Sequence, residues 1–240
     1  MKLQKVIALL LFAGATTAMQ AQTADELVQK YAKAMGGLDA QKKLKTMKME
    51  GVVKQMGMEF PIVIQTINNK AMRVDVTVQG MTITTAYKDG SGWSINPLSG
   101  ATTAEKMNEE QIKDAKEQAD LGSDLADYKA RGHKIELIGK EDVEGTETQK
   151  LKLTKKDGDV EYYFLDTETF LPLKMSSKQK YGDKEVESET FFSDYKDVGN
   201  GIKLAHSTQI KSGGQVMMET AFTKIEANAK IEDTVFDMPK

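Results

Sequence analysis

The sequence contains no cysteine. That excludes a disulfide framework, a thiolate metal site, a cysteine nucleophile and a lipid-modified N-terminal cysteine. Histidine is nearly as scarce, with His133 and His206 the only two. They lie far apart, without an H-x-x-x-H partner and without a serine in a nucleophile-elbow pattern. No glycine-rich phosphate loop joins a strand to a helix. Acidic pairs such as Glu109-Glu110 and Glu141-Asp142 have lysine neighbours and read as a solvated face. Paired carboxylates for glycoside chemistry meet only in a fold, and no sequence feature supports them. The expectation is a protein that is not an enzyme, holds no metal and carries no cofactor. A net charge of -3 gives no reason to expect nucleic acid or an anionic lipid surface as partner.

What is present begins with the N-terminus. Lys2 and Lys5 precede an apolar run from Val6 to Ala15, followed by small residues to Ala18 and again Ala21. This is the pattern of a cleaved secretory signal over 1–21, too short to span a bilayer. No second run is long enough to do so. The mature chain is thus expected in the periplasm as a soluble protein.

A helix should follow, capped by Asp25, with Leu27, Val28, Tyr31 and Met35 on one stripe and Gly36-Gly37 at its end. A lysine-rich linker runs to Leu44. From Thr46 the period changes to short runs rich in Val, Ile, Thr and aromatics, separated by turn pairs such as Asn68-Asn69, Asp89-Gly90, Asp157-Gly158, Gly182-Asp183 and Gly213-Gly214. Asn108 to Arg131 interrupts them as a helical insertion, re-capped near Gly122-Ser123-Asp124. The spacing predicts one α+β domain over 22–240. Its antiparallel sheet of about eleven strands should curl strongly, because so many twisted strands rarely stay flat.

A curled sheet has an apolar inner face that something must fill. Alternation places Phe60, Ile62, Ile64, Val74, Val76, Val78, Met81 and Ile83 on one face, and Ile112 and Leu125 on the insertion that would lid it. The 14 methionines suit a surface that adapts to apolar ligands, and equally an ordinary core. Trp93, the only tryptophan, lines a cavity mouth or packs in the core.

Three segments carry a family resemblance. Asp89-Gly90-Ser91-Gly92-Trp93-Ser94-Ile95-Asn96-Pro97, within Arg73 to Pro97, resembles the early hairpins of the LolA family of periplasmic lipoprotein carriers. Leu165-Asp166-Thr167-Glu168-Thr169-Phe170-Leu171-Pro172-Leu173-Lys174 is similar to a later hairpin of that family, and Asn228 to Pro239 to its closing segment. The family's arginine–proline pair ahead of the third strand is replaced here by Asn68-Asn69-Lys70. The resemblance implies an unclosed β-barrel lidded by helices, whose hydrophobic cavity shields acyl chains in transit across the periplasm.

Two readings follow. In the first, the eleven residues Phe60, Ile62, Ile64, Val74, Val76, Val78, Met81, Ile83, Trp93, Ile112 and Leu125 bind lipid, lipoprotein acyl chains or another apolar ligand, in a monomer. In the second, side chains fill the core and the surface binds an envelope protein partner. A hydrolase would need His133 or His206 beside a carboxylate in a pocket.

Overall fold

The computed structural model describes residues 23–181 and 184–239. The expected signal peptide and the Gly182-Asp183 turn lie outside the described residues. Helix α1 (Ala24–Ala34) is capped by Thr23 rather than Asp25, in a box where Thr23 and Glu26 satisfy each other's backbone amides. Asp25 instead accepts hydrogen bonds from Tyr128 and Lys129. Leu27, Val28 and Tyr31 are buried as the stripe requires. Gly36 ends the helix at φ 103°, with its α-carbon face against Gly201, where a Cβ would sit 2.3 Å from the carbonyl oxygen. The lysine-rich stretch expected as linker forms a short helix, α2 (Leu38–Lys42).

The strands are β1 (Thr46–Gln55), β2 (Met58–Ile67), β3 (Ala71–Val78), β4 (Met81–Lys88), β5 (Ser91–Asn96) and β6 (Ala101–Lys106). Helices α3 (Glu109–Gln118) and α4 (Tyr128–Arg131) follow. The second series is β7 (Lys134–Val143), β8 (Thr146–Thr154), β9 (Val160–Asp166), β10 (Pro172–Tyr181), β11 (Lys184–Asp197), β12 (Lys203–Ser212) and β13 (Gln215–Ala227). All belong to one antiparallel sheet in the order β6-β5-β4-β3-β2-β1-β13-β12-β11-β10-β9-β8-β7. The sheet is not closed into a barrel. Two runs of hairpins therefore meet at one long-range pairing, β1 with β13. The insertion carrying α3 and α4 connects the two outermost strands, β6 and β7.

Thirteen strands exceed the expected eleven. The main omission is β6, whose Ala101-Thr-Thr-Ala-Glu-Lys106 offers no large apolar residue to read and buries none. The expected alternation holds in β2–β4: Ile62 faces Val76, which faces Ile83, and Ile64 faces Val74. Directly opposed residues share a face. It is the face on which α3 packs, because Met72 and Tyr87 form a core cluster with Ala115 and Ala119. We call it the inner face. Helix α1 covers the same face at the other end, joining Leu151, Leu153 and Leu165 with Leu125.

At the β1–β13 seam the register slips between Glu50 and Gly51. A Cβ on Gly51 would lie 2.2 Å from the Ala221 carbonyl oxygen. This bulge lets the seam bend. Gly51→Ala is expected to cost about 3 kcal/mol, as overpacking against backbone does, read as a lowered midpoint in urea denaturation.

Candidate ligand-binding cavity

Between the middle of the sheet and the helices lies a cavity of about 500 Å³. Met47 and Met49 enter from β1, Phe222 and Ile225 from β13, Phe192 and Tyr195 from β11, Met175 from β10 and Tyr163 from β9. Tyr31 of α1, Leu44 after α2 and Leu121 after α3 close the other side. Strands β1 and β9 are five places apart in the sheet order. Flat, they would stand roughly 24 Å apart at about 4.8 Å per step. That both line one cavity of this size means the sheet curls around it.

The wall is largely apolar, and its tyrosines have their hydroxyls satisfied by neighbouring residues of the same wall. Tyr31 shares a hydrogen bond with Ser123 at 3.0 Å, Tyr163 donates to Glu161 at 2.7 Å, and Tyr195 donates to the Pro172 carbonyl at 2.8 Å. Burial pushes all three phenols above the usual tyrosine range, so they stay neutral.

None of the eleven residues expected to line the cavity does so, and each has a physical reason. Phe60, Ile62, Ile64, Val74, Val76, Val78, Met81 and Ile83 do share the inner face, but on β2–β4, beyond the cavity wall. They are not remote from it. Phe222 faces Gly51, which continues across the sheet to Ile62, Val76 and Ile83, and Ile225 continues through Met49 to Ile64 and Val74. All but Ile62 are at least partly exposed, forming an apolar shelf beside the cavity. Trp93 points to the opposite face, where its indole N–H donates to the Phe236 carbonyl at 2.9 Å and the C-terminal segment buries it. Ile112 packs on Met72 and Tyr87, and borders a small edge crevice of about 280 Å³ that Trp93 and Phe236 also reach. Leu125 is fully buried between α1 and β8. Of the methionines, Met35, Met47, Met49 and Met175 line the cavity, whereas Met56 and Met217 are exposed at hairpin tips.

Charge braces the lid internally through Arg131 and ties it to the sheet through Lys155. Arg131 donates to Asp120 at 2.6 Å and to Asp124 at 2.8 Å. Lys155 reaches Asp124 at 3.2 Å and Glu161 at 2.6 Å. Burial raises the Asp120 pKa, but Arg131 and the Gly122 amide more than offset this and hold it below the ordinary carboxylate value. Burial likewise lowers that of Lys155, and Glu161 with Asp124 reverse it, keeping the ammonium charged.

His133 does lie beside a carboxylate here. Its Nδ1 accepts from the Lys156 amide at 3.0 Å, which places the proton on Nε2, 3.5 Å from Asp124. Nδ1 is thus taken by the backbone, and Nε2 faces the Asp124 carboxylate. His206 is buried, with Nδ1 3.2 Å from the Leu204 carbonyl. Sequence reasoning missed the cavity residues of β9–β13 because its site began with the cleanest alternation. In β11–β13 bulges break that alternation, with Asp194 at φ 54° and a shift between Ile210 and Lys211.

A curled, unclosed antiparallel sheet with helices across its inner face is the LolA-type half-barrel, and this chain has that fold. A LolA superfamily protein from Nitrosomonas europaea aligns with a TM-score of 0.57 and 11% identity, over 90% of this chain and 98% of that one. A DUF1329 family protein from Desulfovibrio piger aligns with a TM-score of 0.59 and 13% identity, over 90% and 98%. A domain described as outer membrane lipoprotein-sorting, from Vibrio parahaemolyticus, gives 0.57 and 12%, over 89% and 97%. Residues 121–201 match the family model described as a predicted periplasmic protein, DUF2092. No curated protein matches the sequence. Among the described residues no helix is long and apolar enough to cross a membrane.

Asp120 gives the lid a pH signature. Its native pKa lies below the unfolded value of about 3.9, so its contribution to stability is present above that value and lost as pH falls through the lowered native one. Thermal unfolding followed from pH 5 downward should show this limb, and Arg131→Met should flatten it.

Proposed function

We propose that this chain is an exported periplasmic binding protein that carries an apolar ligand, a lipid or the acyl chain of a lipoprotein, in the cavity beneath its helical lid. The observation that carries the reading is the unfilled apolar space of about 500 Å³ between sheet and helices. A sheet of this size has enough side chains to fill its inner face, as α3 does over β3 and β4. From β1 across to β9 the chain places Met47, Met49, Met175 and satisfied tyrosines around a void instead. Each methylene moved there from water gains about 0.8 kcal/mol, so a long alkyl chain is the ligand such a wall selects.

The lipoprotein-sorting description of the Vibrio structure agrees with this role. The DUF2092 description agrees with the compartment, as does the charged-then-apolar pattern of residues 1–21, which we take to be a cleaved signal. The shelf of Ile62, Val76 and Ile83 extends the path for tails longer than the cavity. The carrier reading needs no catalytic group.

Native mass spectrometry of the mature protein, followed by solvent extraction, tests the reading. Bound lipid is expected. Phe222→Asp or Met49→Asp should abolish it, because a buried carboxylate in an apolar wall is costly. Val76→Asp with Ile83→Asp should shorten the longest chain retained. A clean apo mass, with no uptake of an environment-sensitive apolar dye, would remove the carrier reading.

A further inference from the structure

The cavity wall has one polar side chain that its apolar role does not explain. Gln41 of α2 lines the cavity and is nine-tenths buried. Its backbone is bonded within the helical turn, through the Gly37 carbonyl and the Leu44 amide. Its side-chain amide has no hydrogen-bond partner among the described residues. A buried carboxamide carries two donors and an acceptor, and leaving them unpaired costs about 1–3 kcal/mol. Leucine would fill the same place without that cost.

The second observation is the charge at the cavity's mouth. Glu117, Asp120, Asp124 and Glu161 line the cavity and also a polar recess of about 1160 Å³ that opens beside it. Arg131 and Lys155 are already held by Asp120, Asp124 and Glu161. That leaves Asp114, Glu117, Asp157 and Asp159 in the recess against Lys156. Glu117 has only a loose, exposed contact to Lys113 at 4.0 Å. The recess is therefore negative in excess, and an anionic head group would meet repulsion there. The cation lining the cavity itself is Lys203.

The cavity, at about 500 Å³, has room for at least one long alkyl chain.

We propose that the cavity takes an amphiphile with a cationic amino head group, the head lying among the carboxylates of the recess. The Gln41 carboxamide hydrogen-bonds a hydroxyl, ester or amide of the ligand where the chain passes α2. This rests on the binding function proposed above and names its ligand class.

Competition against an environment-sensitive apolar dye tests it on the mature protein, below micellar concentration. The competitors are hexadecylamine, palmitate, and palmitoyl-ethylenediamine, which carries both an amide and an amine. Hexadecylamine should bind about tenfold tighter than palmitate. The difference should shrink with added salt and in a Glu117→Gln/Asp157→Asn/Asp159→Asn variant, because it is a screened electrostatic effect. Gln41→Leu should weaken palmitoyl-ethylenediamine about tenfold, as loss of one buried hydrogen bond does. It should leave hexadecylamine and the dye unchanged, and should raise the urea midpoint of the ligand-free protein. Gln41→Met serves as a second apolar variant.

Palmitate binding as tightly as the amine would overturn the head-group assignment while leaving the carrier reading intact. A lowered urea midpoint in both Gln41 variants with unchanged affinities would make Gln41 structural and overturn its role. Failure of the dye and every amphiphile to bind would remove the carrier reading, and this inference with it.

Discussion

The pairing of β1 with β13 joins the first and last strands of the described sheet, about 170 residues apart in the chain. Every other neighbouring pair is a hairpin or a short local return, so this one ladder turns two meanders into a single surface. It also carries the largest loop-closure entropy of the strand pairings, because it joins residues so far apart in the chain. The cavity is built on it: Met47 and Met49 stand on one side of the seam, and Phe222 and Ile225 on the other. The bulge at Gly51, where two backbones approach too closely for a side chain, lets the sheet bend at that line. Without the bend, the strands that wall the cavity would not face one another.

The sheet's two free edges are the second constraint. The chain leaves the sheet at β6 and re-enters at β7, so the connection between them crosses the inner face. It does so as α3 and α4, and the physics of each contact differs. Helix α3 sits on Met72 and Tyr87 through Ala115 and Ala119, residues small enough to allow close approach. The segment after it is held by charge, with Arg131 and Lys155 spread over Asp120, Asp124 and Glu161. Contacts of the first kind resist separation by hydrophobic burial. Those of the second kind hold through paired charges that burial makes costly to separate. The lid is therefore packed over β3 and β4, where the space is filled, and held by ion pairs beside the cavity.

Much of this was legible in the sequence because hairpins are local. The turn pairs, the helix ended by Gly36-Gly37, and the break at Gly122-Ser123-Asp124 each lie within a few residues of the structure they specify. The parity of Ile62, Val76 and Ile83 was equally readable from strict alternation. What alternation cannot show is which part of an apolar face remains unfilled. That depends on where α3 lands, and it lands on Met72 and Tyr87 because the insertion is anchored at the sheet's edges. Trp93 illustrates the same limit. Its strand position is plain from the sequence, but the partner that buries it, the Phe236 carbonyl, lies 143 residues away. The cavity residues of β11–β13 were hidden by bulges that break their period.

The distribution of polarity around the cavity is the feature a filled core would not need. A core optimised for stability would replace Gln41 with an apolar residue and would have no use for a surplus of carboxylates beside its opening. Here the wall is largely apolar, its tyrosine hydroxyls are satisfied by their neighbours, and the unmatched polar groups are gathered at one buried amide and one acidic recess. Apolar burial supplies affinity without direction, whereas charge and hydrogen bonds supply orientation and choice. A ligand that is apolar along its length and cationic at one end would meet both in the order the cavity presents them. Under the proposed binding role the void would take the apolar chain, and the carboxylates left over beside the lid's ion pairs, Asp114, Glu117, Asp157 and Asp159, would face the head group.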